Sequence, residues 1–157
     1  MSVFLTIERA EAPAGHEPSR VPLVDADGQV TIDPWWGTIQ PQRLHPGIPT
    51  WGELEVIAHI EAGGRLIDTR LPEYASASGT IPGSLVLPWE TITDHLEVFD
   101  PASVTVLFCN GPQCAATPRA VGRLLDAGVE PESLAYYRGG IQDWVGPGLP
   151  TAPVSGG

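Results

Sequence analysis

At 157 residues the chain has room for one domain with a full core and an appended arm, but not for two ordinary domains. Its formal net charge of -11 comes from 19 acidic residues against 8 basic ones, all arginine, which disfavours nucleic acid and anionic membranes as partners. No stretch approaches the roughly 20 apolar residues of a spanning helix, and Met1 to Glu8 lacks both basic residues and a long apolar core, so a cytoplasmic protein is expected.

Residues 1–49 are rich in proline and glycine and read as an irregular arm. Val3, Leu5 and Ile7 alternate with Phe4, Thr6 and Glu8 as in a short strand, and Asp27-Gly28 lies between Leu23-Val24 and Val30-Thr31-Ile32 like a hairpin turn. Trp35 and Trp36 are costly to leave in water, which places the arm on the domain or on a second subunit, giving a monomer or a homodimer through the arm.

From Thr50 helix and strand signals alternate, which predicts an α/β fold with a mostly parallel central sheet flanked by helices. Thr50-Trp51-Gly52-Glu53 fits a capping box, Leu54, Ile57, Ala58 and Ile60 form an apolar helix face, and Gly63-Gly64 ends it. Arg65 to Asp68 reads as a strand, Pro72 to Gly83 as a polar loop, Ser84 to Leu87 as a second strand and Thr91 to Val98 as a weak helix. Val104 to Phe108 is the most apolar strand. A helix over Ala115 to Ala127 follows, with Arg119 and Arg123 outward and Gly128 as its stop. Leu134 to Tyr137, the turn at Arg138-Gly139-Gly140 and a helical turn over Ile141 to Val145 complete the pattern.

The chemistry concentrates at Cys109, where the apolar strand gives way to Asn110-Gly111-Pro112-Gln113-Cys114 and then to a helix. A helix N-terminus behind the sulfur supplies unpaired N–H groups and the positive end of its dipole, and both favour the nucleophilic thiolate at Cys109. Asn110, Gly111, Gln113, Cys114 and Ala115 can each offer a backbone N–H to an anion; Pro112 cannot. Two cysteines five positions apart read better as reactive than as a secreted disulfide framework. His16, His45, His59 and His95 form no short-range cluster with them, so no metal and no cofactor is expected.

Leu66-Ile67-Asp68-Thr69-Arg70, Thr80-Ile81-Pro82-Gly83-Ser84, the Cys109 loop and Tyr137 to Trp144 occur in the order and spacing of the rhodanese domain, which the segment from about Glu53 to Thr151 resembles. Rhodaneses are single-cysteine sulfurtransferases. The resemblance implies a three-layer fold over residues 50–157 with a short flexible C-terminal tail. It also implies that Cys109 takes a sulfane sulfur from a donor such as thiosulfate, holds it as a persulfide and passes it to cyanide or a thiol. Asp68 and Arg70 are expected to hold loops below the catalytic loop, Trp144 to pack, and Arg138 to approach the pocket. Thr80 stands where a histidine is common in the family, and Cys114 where a hydroxyl or small residue is usual. Cys114 is a candidate resolving thiol that attacks a persulfide or sulfenic acid on Cys109. A non-catalytic sulfur carrier or interaction module and a Cys109/Cys114 redox sensor are the alternatives. A related phosphatase or arsenate reductase needs an arginine where this chain has Ala115, and Arg119 lies a helical turn further on.

Overall fold

The computed structural model describes residues 7–20, 23–24, 26–27, 30–31 and 33–154. Of the arm's expected strand, Ile7 and Glu8 fall among them, exposed and outside any strand, while residues 3–6 lie outside the described residues. The hairpin is present as β1 (Leu23–Val24) paired antiparallel with β2 (Val30–Thr31).

The rest of the chain runs α1 (Glu53–Glu61), β3 (Arg65–Asp68), α2 (Pro72–Ser78), β4 (Leu85–Val86), a 3-10 segment (Trp89–Val98), β5 (Thr105–Phe108), α3 (Ala116–Asp126), β6 (Leu134–Tyr137) and α4 (Gly140–Val145). The sheet order is β4-β3-β5-β6, every pair parallel, with Asp68 beside Phe108 and Phe108 beside Tyr137 at the C-terminal edge. Thr105 to Phe108 is buried throughout because both sheet faces are covered. Successive side chains point to opposite faces. Ile67, Leu107 and Tyr136 pack with Leu124 and Ile92 on one face, and Leu66, Val106 and Phe108 pack with Val56, Ile141 and Trp144 on the other.

Four expectations change. The loop expected over Pro72 to Gly83 contains α2, opened by Pro72, whose fixed φ suits a first helical position that needs no donor. The capping box at α1 does not form: Gly52 is the N-cap without a side-chain bond, and the Thr50 hydroxyl donates instead to the Gln42 carbonyl. The weak helix at Thr91 is 3-10 and begins at Trp89. The tail expected to be flexible is tied down as far as Ala152, since Thr80 N donates to Ala152 O at 2.9 Å and Ala152 N to Thr80 O at 2.8 Å.

Candidate functional site

The site forms where β3 and β5 end side by side. Cys109 follows β5 directly, and the loop to α3 bends back on itself through a Cys114 N–H to Gly111 O bond of 3.0 Å. That bond uses the Cys114 amide, so of the five expected donors this one is not available to an anion. Outside contacts fix the remaining path. The first turn of α4 donates Ile141 N–H to Cys109 O (3.0 Å) and Gln142 N–H to Asn110 O (2.8 Å). Gly140, at φ +59, has to be glycine because a Cβ there would collide with the Cys109 carbonyl oxygen. From the opposite direction the arm donates Thr38 N–H to Gln113 O (2.9 Å) and Gln40 N–H to Pro112 O (2.8 Å). Gly37, at φ +63, makes this approach possible, since its Cβ would strike the Gln113 carbonyl oxygen. Four loop carbonyls are thus drawn outward.

Both cysteines are free and buried. They share a cluster with Trp36 and Ala116. Cys109 is 2% exposed and donates its thiol proton toward Cys114 O at 3.6 Å. Burial pushes the Cys109 thiol well above its ordinary range, and the neighbouring Cys114 pushes it further. The Thr117 hydroxyl and backbone N–H, at the start of α3, pull the Cys109 thiol the other way, as the expected helix N-terminus would, and burial outweighs them. Cys114 is the sulfur drawn down, to about 6, first by its hydrogen bond with Cys109 and then, against burial, by the Ala116 and Asn110 N–H groups and the Arg70 charge. Each sulfur meets one α3 amide, Cys114 that of Ala116 and Cys109 that of Thr117, and Cys114 lines the adjoining pocket together with Asn110, Gln113 and Ala115.

Arg70 connects the end of β3 to this loop. Its guanidinium is paired with Asp68 (Nε to Oδ1 at 3.0 Å, Nη2 to Oδ2 at 2.7 Å), and Nη1 reaches Asn110 Oδ1 at 3.1 Å. The same side chain binds Ser78 Oγ and Gly79 O at the end of α2, and Thr80 Oγ1 donates to Asp68 Oδ2 at 2.8 Å. Asp68 and Arg70 tie together the ends of β3 and α2, and Arg70 does so in direct contact with the cysteine loop. Arg138 does not approach the pocket; Nε and Nη2 both donate to Gln40 O, pinning the arm. Trp144 packs in the core and donates to Pro150 O.

Sequence reasoning missed three contributors. Thr117, fully buried in the first turn of α3, lies against the Cys109 sulfur and bonds the Thr69 hydroxyl at 2.9 Å. Its two-residue offset from the predicted helix start was the available signal. Trp36 and Trp89 wall the pocket from segments distant in sequence, which no local pattern reveals. Among the described residues no group of three or more His, Cys, Asp or Glu is placed to hold a metal ion, and no helix is long and apolar enough to cross a membrane.

A sequence model of the rhodanese-like domain matches residues 54–146. The HTH-type transcriptional regulator Rv0324 of Mycobacterium tuberculosis is 34% identical over 107 residues, covering 66% of this chain and 46% of that protein. The chain therefore spans less than half the length of this curated relative. Among solved structures, the BH2092 protein from Bacillus halodurans aligns at TM-score 0.58 with 20% identity, over 67% of this chain and 77% of its own. Thiosulfate sulfurtransferase from Pseudomonas aeruginosa aligns at TM-score 0.57 with 24% identity, over 68% of this chain and 20% of its own. At these identities the likeness is one of fold.

Proposed function

Because the chain belongs to the rhodanese-like domain family, we propose that this sulfur-transfer-type domain is a working sulfurtransferase in which Cys109 carries the sulfur and Cys114 manages the proton. The observation that carries this reading is a pair of free, buried thiols in one clamped loop, the Cys109 thiol 3.6 Å from the Cys114 carbonyl. When a donor such as thiosulfate enters, the Cys109 proton passes to the Cys114 thiolate and the Cys109 sulfur attacks the sulfane sulfur. The donor's S–S bond breaks, its electron pair leaves with sulfite, and Cys109 holds an anionic persulfide. Cyanide or a thiolate then attacks the terminal sulfur, the persulfide bond breaks, and its electron pair returns to Cys109, which recovers the proton from Cys114. Charge is conserved in both steps and no cofactor takes part.

A persulfide anion needs donors. The Trp36 indole N–H is buried in the cluster that holds both sulfurs and has no hydrogen-bond partner, so an added sulfur arrives where a donor is unsatisfied. The test is a peptide mass map after thiosulfate treatment, in which wild type gains one sulfur on the Cys109 peptide and Cys109→Ser gains none. A sulfur that persists in Cys109→Ser, or a wild type that gains nothing from thiosulfate or a persulfide donor, overturns the assignment.

The transcriptional regulator among the relatives favours a second reading, in which this is a sensing module read by a partner. Mild peroxide then removes two hydrogens from the protein's mass and consumes both thiols; a free Cys114 after oxidation rules the sensor out.

A further inference from the structure

The pocket lined by Cys114, with Cys109 buried behind it, is larger than inorganic sulfur chemistry requires. Its volume is about 270 Å³, many times what one water needs, whereas thiosulfate is one sulfur atom on a sulfonate. Its charge is also unlike that of the molecule. In a chain of net charge -11 with eight arginines, Arg20, Arg70 and Arg119 all line this pocket, against one carboxylate, Glu90. Asp68 neutralises Arg70. Arg20 and Arg119 have no ion pair among the described residues; their guanidinium carbons lie 5.4 Å from the Tyr74 ring centroid and 4.9 Å from that of Trp89.

Arg20 comes from the arm, and the arm is bonded to the cysteine loop next to it. Gln113 Nε2 donates to Asp33 O at 3.1 Å, and the buried Asp33 carboxylate accepts the Ser19 N–H at 2.7 Å, one residue before Arg20. Arg9 donates to the Trp36 and Gly37 carbonyls and closes the same turn. A continuous hydrogen-bonded path therefore sets where Arg20 stands relative to the sulfurs.

We infer that the arm is part of the substrate site, and that Arg20 with Arg119 selects an organic persulfide carrying a carboxylate remote from its reacting sulfur, of the thiol-peptide class. The aromatic walls take the organic body, and the arginines take the remote charge. This rests on the sulfurtransferase reading above, so its test is a binding measurement that needs no transfer. S-methylglutathione, a carboxylate-bearing thioether with no sulfur to give, is titrated calorimetrically into the full chain. Arg20→Ala is expected to weaken binding about tenfold with an unchanged circular dichroism spectrum. Arg20→Lys is expected to recover part of the loss, because it keeps the charge without the fork. In turnover, the preference for glutathione persulfide over thiosulfate falls by a similar factor in Arg20→Ala. A wild type that does not bind the thioether, or an Arg20→Ala protein that binds it as wild type does, overturns the inference. Arg20-dependent binding in a protein that never takes sulfur on Cys109 sinks the sulfurtransferase reading, and the persulfide substrate with it, while the carboxylate contact at Arg20 stands. Sulfur on Cys109 with Arg20-independent binding does the reverse.

Discussion

Two thiols in contact behave as one acid with two sites, and the loop decides which site keeps the proton. Cys114 has the Ala116 and Asn110 amides and ionises at about 6, whereas Cys109 is held neutral by burial. A rate that depends on the Cys114 thiolate as proton acceptor falls at low pH and rises to a plateau through about 6. In Cys114→Ser that base is gone and Cys109 has to ionise alone, so the rising limb moves above the ordinary thiol value of 9.0. A pH profile of kcat/KM for the two proteins checks both statements. Trp36→Phe keeps the ring and removes the unpartnered N–H, and it is expected to shorten the lifetime of the Cys109 persulfide by about tenfold, measured by the decay of the added mass. None of these assignments was legible in the sequence, where a helix N-terminus behind Cys109 argued for the opposite ionisation. The first amides of α3 are shared, Ala116 N–H bonding Cys114 and Thr117 N–H bonding Cys109, and it is burial that keeps Cys109 protonated.

At the level of elements, the ends of β3, β5 and α2 and the start of α4 meet at one buried hub. Arg70 is 2% exposed and Asp68 fully buried. Arg70→Leu strands the carboxylate and the Asn110 and Gly79 contacts together, and removing one partner of a buried pair costs about 3–5 kcal/mol. Urea unfolding of Arg70→Leu measures this. Gly140→Ala drives a methyl into the Cys109 carbonyl at a positive φ, and is expected to cost at least about 2 kcal/mol and to slow sulfur uptake. The places of the strands along the chain and the helices α1, α3 and α4 could be read from apolar runs and glycine stops, because buried parallel strands and amphipathic helices leave strong periodic signals. Helix α2 could not be read in this way. In Pro72–Ser78 only Ala75 is buried, and its role is to present backbone and Ser78 to Arg70, which needs no apolar stripe.

Across the whole molecule, the arm's attachment depends on charge at Asp33. Burial raises this carboxyl, but the Ser19 and Trp35 N–H groups and His16 outweigh it, leaving it below its ordinary value of 3.8. A group depressed in the folded state adds stability above its unfolded value and loses it as pH falls through the folded one. The arm is therefore expected to loosen at pH below about 4, and in Asp33→Asn already at neutral pH, with tryptophan emission shifting red as Trp35 and Trp36 become wet. From sequence the arm was legible as ordered by its tryptophans; its bond to the Cys109 loop was not, because contacts between residues so far apart in the chain leave no periodic trace. The bonds from Thr38 and Gln40 into the Gln113 and Pro112 carbonyls also give the protein an internal gauge. Deuterium uptake at those two amides registers every loosening of the cysteine loop, so an isotope-labelled spectrum can follow the loop's condition during sulfur loading with no dye, tag or substitution near the sulfurs.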